Sequence, residues 1–268
     1  MSSSIKMVEI RDPEKVKSQI VEGMRSYFKS AGYDRAVLGL SGGLDSSVTL
    51  SLTAEALSPR KTTAVLLPSR GTPKQDLEDA RELISLVKVP QSNVILTRID
   101  RVVSTIDSSL NGMTKMERAN ATARVRMIML HAIAYRKKAL VVGTGDRSEI
   151  EIGFFTKYGD GGVDVLPIGR LLKTQVRHMA SFMGLPQTIC DKPSSPRLWP
   201  GHLAEKELGV DYETVDEFIH LHLDQGMSVD EASAKMGTPV AVLKALQTRM
   251  SVTAHKRALP PTMECDPF

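Results

Sequence analysis

Little in this sequence points to export, to a membrane or to a thiolate metal centre. Only two cysteines occur, Cys190 and Cys265. They lie far apart and form no CxxC or metal-ligand spacing, which fits a reduced, cytoplasmic compartment. The N-terminus, MSSSIKMVEI, has no apolar core, so no signal peptide is expected. No apolar stretch approaches the ~20 residues that a membrane-spanning helix needs. Repeats and low-complexity tracts are missing too. The net charge of +4 over 268 residues is too mild to demand nucleic acid, though it permits an anionic ligand. With 41% hydrophobic and 25% charged residues, the chain is long enough for one sizeable core and a small appended segment.

Periodicity organises what is present. Residues 13–30 carry apolar side chains at 16, 20, 24, 27 and 28, a helical spacing that opens on Pro13. RAVLGL (35–40) is a short buried strand and 45–57 a helix. KTTAVLL (61–67) is a second strand. Thr72, Pro73 and Gln75 resemble an N-cap, a first-position proline and an N3 partner for a helix running to about 88. NVILTR (93–98) is a third strand. Thr114 and Glu117 form a capping box for a helix to about 137, ALVV (139–142) is a fourth strand, and 163–166 is expected as a fifth.

Alternating strands and helices predict an α/β fold, a Rossmann-like, doubly wound parallel sheet of about five strands with helices on both faces. One unit is expected over 1–268. Its α/β core would span 35–190, and a mobile loop and C-terminal helical segment 191–268. DKPSSPRLWP (191–200) reads as the long loop.

In such sheets, ligands sit at the carboxyl ends of the strands. SGGLDSS (41–47) ends the first strand and opens a helix. Unpaired N–H groups and the helix dipole there suit an anion, and Gly42 and Gly43 allow close backbone approach. Ser41, Ser46 and Ser47 add hydroxyl donors. No lysine follows the glycines, which excludes a Walker A loop, and the spacing is not GxGxxG. Asp45 stands in place of that lysine. An acid beside phosphates makes sense where Mg²⁺ bridges the two, while a plain capped turn with a first-turn acid is the structural alternative.

SGGLDSS resembles the SGGxDS signature of the ATP pyrophosphatases, which cleave ATP between the α and β phosphates and transfer AMP to an acceptor. Three further segments resemble the NAD synthetase family, in that family's order. They are NATARVRMIML (120–130), GTGDRSEIEIGFFTKYGDGGVDVLPIGRLLKTQV (143–176) and HKRALPP (255–261). The resemblance implies ATP-dependent amidation of deamido-NAD to NAD through an acyl-adenylate. It also implies residue roles. Gly39, Leu40, Ser41, Gly42, Gly43, Leu44, Asp45 and Ser46 would bind ATP, together with Thr144, Lys173 and Ser195. Asp45 and Glu149 would hold Mg²⁺. Arg124, Lys157, Asp164, His255 and Lys256 would contact deamido-NAD. Asp45 and Lys173 would be catalytic. Asp146 stands where the family often has Asn or His, and an acid there would deprotonate ammonium as a third catalytic residue or merely cap the next helix. Arg70, at another strand end, would reach ATP.

The chain departs from the family pattern after Trp199, where His202 replaces a glutamine and Ala204 an acid. Only 34 residues, none of them cysteine, precede the first strand, so no glutaminase is expected there. The nitrogen would come as free ammonia or from a separate protein. The resemblance also implies a homodimer with the dinucleotide site near its interface. The methionines 113, 116, 127 and 129 of the 114–137 helix agree weakly with this. Two rival readings have less in their favour. SVDEASAKMGTPVAVLKALQTRM (228–250) has a helix-turn-helix look, but its second helix offers few polar residues for base edges. A tRNA acceptor would call for a larger basic surface.

Overall fold

The computed structural model describes residues 8–195, 199 and 201–265. Helix α1 (Pro13–Ser30) begins where Asp12 accepts a hydrogen bond from the Lys15 amide at 3.0 Å, with Pro13 in the first turn. Its buried stripe is Val21, Met24 and Phe28, spaced three and four apart. There follow β1 (Ala36–Gly39), α2 (Leu44–Leu57), β2 (Thr62–Leu66), α3 (Lys74–Val87) and β3 (Val94–Leu96). Next come α4 (Asp100–Ser109), α5 (Lys115–Lys137), β4 (Leu140–Val142), α6 (Arg147–Glu151), α7 (Lys173–Phe182) and α8 (Gln187–Cys190). The C-terminal part holds α9 (Ala204–Leu208), α10 (Tyr212–Ile219), a π-helical turn (His220–Asp224), α11 (Val229–Met236) and α12 (Val240–Val252).

The sheet is parallel throughout, in the order β3-β2-β1-β4. It has four strands, not about five. The run 163–166 adds only a single parallel bridge, Val142 to Val165, because Pro167 and the glycines of 161–162 leave no room for a ladder. Alternate strand residues feed two cores. Leu38, Ala64, Leu66 and Val142 join α1, α2 and α7 on one face. Val37, Val65 and Val141 join Val103 of α4 and Val125 and Ala134 of α5 on the other.

Helix α2 is buried on nearly all sides. Its polar positions survive there because Ser47 and Thr53 return their hydroxyls to carbonyls one turn back, at 2.8 and 2.7 Å. A third apolar cluster gathers Phe218, Ile219, Leu243 and Leu246 with Ile152 and Leu172, so the C-terminal helices share a core with the segments after β4. The 228–250 pair is α11 and α12, and its second helix turns Leu243, Leu246 and Met250 inward as a closing layer. Among the described residues, no helix is long and apolar enough to cross a membrane.

One local expectation is revised. Thr72 is not the N-cap of α3. Pro73 holds that position and the Thr72 hydroxyl instead accepts from the Ser69 amide at 3.0 Å. Part of the 191–200 loop, namely 196–198 and 200, lies outside the described residues.

Candidate active site

The chain runs outward from β1 to β2 and β3, then returns to place β4 on the other side of β1. This reversal opens a crevice beyond the carboxyl ends of β1 and β4, where ligands bind in doubly wound sheets. A cavity of about 510 Å³ lies there. Of the residues expected to meet ATP, Gly39, Leu40, Ser41, Asp45, Ser46, Thr144 and Ser195 line it.

The loop between β1 and α2 is held by its own hydroxyls. Ser46 Oγ accepts from the Ser41 amide at 3.2 Å, and Ser41 Oγ from the Gly43 amide at 3.2 Å. Gly42 has φ +77°, and a Cβ there would stand 2.0 Å from the Asp76 carbonyl oxygen. No other residue fits that position. Gly42 thus acts behind the lining, Gly43 is the N-cap of α2, and Leu44 is a core residue.

Beneath the loop sits a buried ion cluster. Lys173, the first residue of α7, has a fully buried side chain. Its Nζ lies 2.8 Å from Asp45 Oδ1, 2.7 Å from Asp146 Oδ2 and 3.1 Å from Glu149 Oε1. Burial works against its charge. The attraction of Asp146, Asp45 and Glu149 outweighs that and holds the ammonium well above its ordinary range. Burial also raises the carboxyls of Asp146 and Glu149, the latter strongly. Three carboxylates against one ammonium leave an excess of two formal negative charges. The Asp45, Asp146 and Glu149 oxygens lie within 4.8 Å of one another. Asp146 Oδ2, though close to Lys173, has no aligned hydrogen-bond donor. Hard oxygen donors, surplus negative charge and an unsatisfied oxygen all fit a divalent cation such as Mg²⁺.

Asp216 of α10 seats this cluster from below. It accepts from the Ser148 hydroxyl and, at 2.8 Å, from the Thr174 amide, while Ser148 Oγ accepts from the Lys173 amide at 2.9 Å. Burial pushes the Asp216 carboxyl up to about 6.

Asp146 is the N-cap of α6, accepting from the Glu149 amide at 2.8 Å. It is fully buried and absent from the cavity wall, so of its two expected roles the structure displays the capping one. Arg70 lies outside the cavity, in a separate open groove with Arg101 and Ser104, its amide bound to Asp100.

The residues expected for deamido-NAD divide. Lys256 lines the cavity and donates to the carbonyls of Gly153 and Phe155 at 2.8 and 2.9 Å. Arg124 is exposed, donating to the Lys157 carbonyl at 3.3 Å, and Lys157 Nζ donates to the His255 carbonyl. These three form a patch outside the cavity. Asp164 serves the fold, its Oδ2 accepting from the Val141 amide at 2.7 Å and its carbonyl from Tyr27.

Sequence reasoning missed part of the wall. Asn120, Ala123, Met127 and Leu130 of α5 line the cavity at three- and four-residue spacing, a helical stripe that the sequence displays. Arg126 adds a guanidinium, donating to the Leu67 carbonyl at 3.3 Å. Trp199 stacks on His202 with ring centroids 3.5 Å apart, and His202 Nε2 lies 2.7 Å from Glu207. The two departures, His202 and Ala204, therefore both sit on the cavity wall.

The model of one protein family, NAD synthase, matches residues 16–260. The chain belongs to the NAD synthase family. One relative, an NH3-dependent NAD+ synthetase of Saccharolobus solfataricus, is 46% identical over 93% of this chain and 88% of its own length. Among solved structures, the NMN synthetase of Francisella tularensis superposes with a TM-score of 0.83. It shares 30% identity and covers 96% of this family member and all of the other chain. The NH3-dependent NAD synthetase of Campylobacter jejuni gives 0.80 at 25% identity, over 95% and 100%. The relatives thus agree with the family resemblance read from the SGGLDSS and 143–176 segments.

Proposed function

We propose that this NAD synthase family member amidates deamido-NAD to NAD with ammonia, driven by ATP. The observation that carries the reading is Lys173, fully buried beneath the SGGLDSS loop among three carboxylates at the switch point of the sheet. A nicotinate carboxylate is a poor electrophile. Its oxygen attacks the α phosphorus and diphosphate leaves; ammonia then attacks the acyl carbon of the adenylate, the C–N bond forms and AMP leaves. Most of the catalysis is positioning and charge stabilisation.

Ser41, Ser46 and the N-terminus of α2 receive phosphate oxygens, with Thr144 and Ser195 on either side. Asp45 and Glu149, joined by Asp146, would hold Mg²⁺. When bound, the ion offsets the phosphate charge and helps diphosphate leave. Lys173 keeps the carboxylates spaced and, by its charge, works against the rise that burial causes in Asp146 and Glu149. Asp146 joins this charge balance through Lys173 and caps α6 through the Glu149 amide.

A homodimer completes the reading. Arg124, Ile128 and Tyr135 share one face of α5, and Ile128 and Tyr135 are 60% and 88% exposed. Arg124 then serves a dinucleotide near the interface from outside its own cavity. Cytoplasmic residence is part of the same reading, supported by two unpaired cysteines.

The test is NAD formation from deamido-NAD and Mg-ATP with ammonium, against glutamine as the nitrogen source, with AMP and diphosphate counted. One AMP per NAD with ammonium alone supports the reading. AMP release with no amide product refutes the assignment of acceptor or nitrogen donor. A mononucleotide acceptor is the second reading, prompted by the likeness to an NMN synthetase. Nicotinic acid mononucleotide offered in place of the dinucleotide distinguishes the two.

A further inference from the structure

A second buried lysine stands on the far side of the SGGLDSS loop. Lys192 follows α8 by two residues, and its side chain is only 11% exposed. Its Nζ donates to the Gly42 carbonyl at 2.7 Å and to Asp76 Oδ1 at 2.9 Å, and it also contacts Asp79. Asp76 and Asp79 lie one turn apart on α3 and are 2% and 3% exposed. Gln75 fixes Asp79 further, donating to Oδ1 at 2.8 Å. The Arg177 guanidinium anchors the root of the segment through the Cys190 carbonyl at 2.8 Å. Three distant parts of the chain therefore meet at one ammonium.

The bond to Gly42 matters because of what that peptide does. In a trans peptide the C=O and the following N–H point in opposite directions. Holding the Gly42 carbonyl toward Lys192 directs the Gly43 N–H the other way, onto Ser41 Oγ in the cavity wall. Gly42 and Gly43 carry no Cβ to resist a flip of this peptide. A flipped peptide would turn a carbonyl oxygen toward Ser41 Oγ and break the bond that holds this wall hydroxyl in place.

We propose that Lys192 is a positioning residue for the phosphate loop: it ties the Gly42 carbonyl to Asp76 and Asp79 and so fixes the Gly42–Gly43 peptide with its N–H on Ser41, holding that hydroxyl in the cavity wall before ATP arrives. The inference rests on the reading that this cavity binds ATP. Two carboxylates and a backbone carbonyl saturate the lysine, which leaves it as a clamp and not a ligand group.

Two measurements separate the clamp from general stability and from the functional reading. The first uses the wild-type protein without nucleotide. Hydrogen exchange of the two bonded loop amides, Ser41 and Gly43, should be slow, and in Lys192→Met it should quicken by about tenfold or more while amides of β2 stay protected. This holds whatever the acceptor is. Fast exchange in the wild type, or unchanged exchange in the variant, overturns the clamp. The second compares Lys192→Met with Lys192→Met/Asp79→Asn, which removes a charge along with its counter-ion. The double variant should regain much of the lost melting temperature. Its KM for ATP should remain raised about tenfold or more, with KM for deamido-NAD within about twofold of wild type. A stable double variant with normal KM for ATP shows a purely structural lysine and overturns the proposal. If the variants do not fold, the exchange of the wild-type loop still decides. Wild-type failure to form NAD would count against the functional reading alone.

Discussion

Replacing Lys173 with methionine should expose how the carboxylate floor is held together. The side chain is fully buried, and three carboxylates sit within 3.1 Å of its nitrogen. Methionine keeps the volume and removes the charge. Breaking a buried pair by removing one partner costs about 3–5 kcal/mol, because a charge is left without compensation. For a chain of this size each kcal/mol shifts the melting temperature by about 2–4 °C, which gives a drop of about 6–20 °C at neutral pH. The loss has a ceiling, since the stranded carboxyls can take up protons. Burial already raises Asp146 and Glu149, and without Lys173 they rise further.

Above about pH 5 the same carboxyls are ionised in the unfolded chain, so the folded variant binds more protons than the unfolded one. Stability then falls as pH rises, by up to about 1.4 kcal/mol per pH unit for each such carboxyl. The gap between wild type and variant should therefore be wide at pH 8 and narrow at pH 5. Calorimetry at both pH values measures it, and Lys173→Met/Asp146→Asn should close part of the gap at pH 8. An equal gap at pH 5 and pH 8 would refute the electrostatic account and leave packing as the cause.

Gly42→Ala should abolish NAD formation and cost about 2–4 kcal/mol of stability, because a Cβ would collide with the Asp76 carbonyl and φ is +77°. Assay and thermal melt together check it. Asp216, raised to about 6 by burial, contributes stability below its unfolded value that is lost as pH climbs through 6. Urea unfolding should show about 2–3 kcal/mol of that loss between pH 4 and pH 8 in the wild type, and a flatter profile in Asp216→Asn. Mg²⁺ without nucleotide should raise the melting temperature of the wild type but not of Glu149→Gln; an equal rise in both would remove Glu149 from the metal set. Thr114→Ala should cost about 1 kcal/mol through the lost capping box and leave turnover unchanged.

Much of the fold was legible because short buried strands and amphipathic helices leave periodic traces. The α1 stripe, the Thr114–Glu117 box and four strand positions were all readable in this way. Helix α4 also left a periodic trace, in Ile99, Val103, Ile106 and Leu110, that sequence reasoning passed over. The 163–166 run looked like a strand from its apolar residues, although Pro167 and the glycines before it were there to limit the pairing to one bridge. In the site, the resemblance indicated the floor residues. The contacts that hold them were not legible. Lys192 reaches Gly42 across 150 positions, and Asp216 reaches Ser148 across 68. No local pattern encodes such a meeting.

Asp216 has one more implication, concerning how the protein becomes competent. The sheet and its two flanking cores are complete by residue 190, and Lys192 ties down the glycine loop just beyond, yet the seat for the Lys173 end of α7 is supplied by α10. During synthesis the nucleotide crevice can take shape while its charged floor is still unseated. The last quarter of the chain is thus a checkpoint. Activity can begin only once the C-terminal helices have docked, and a nascent or clipped chain that lacks them would hold a crevice with an unset floor.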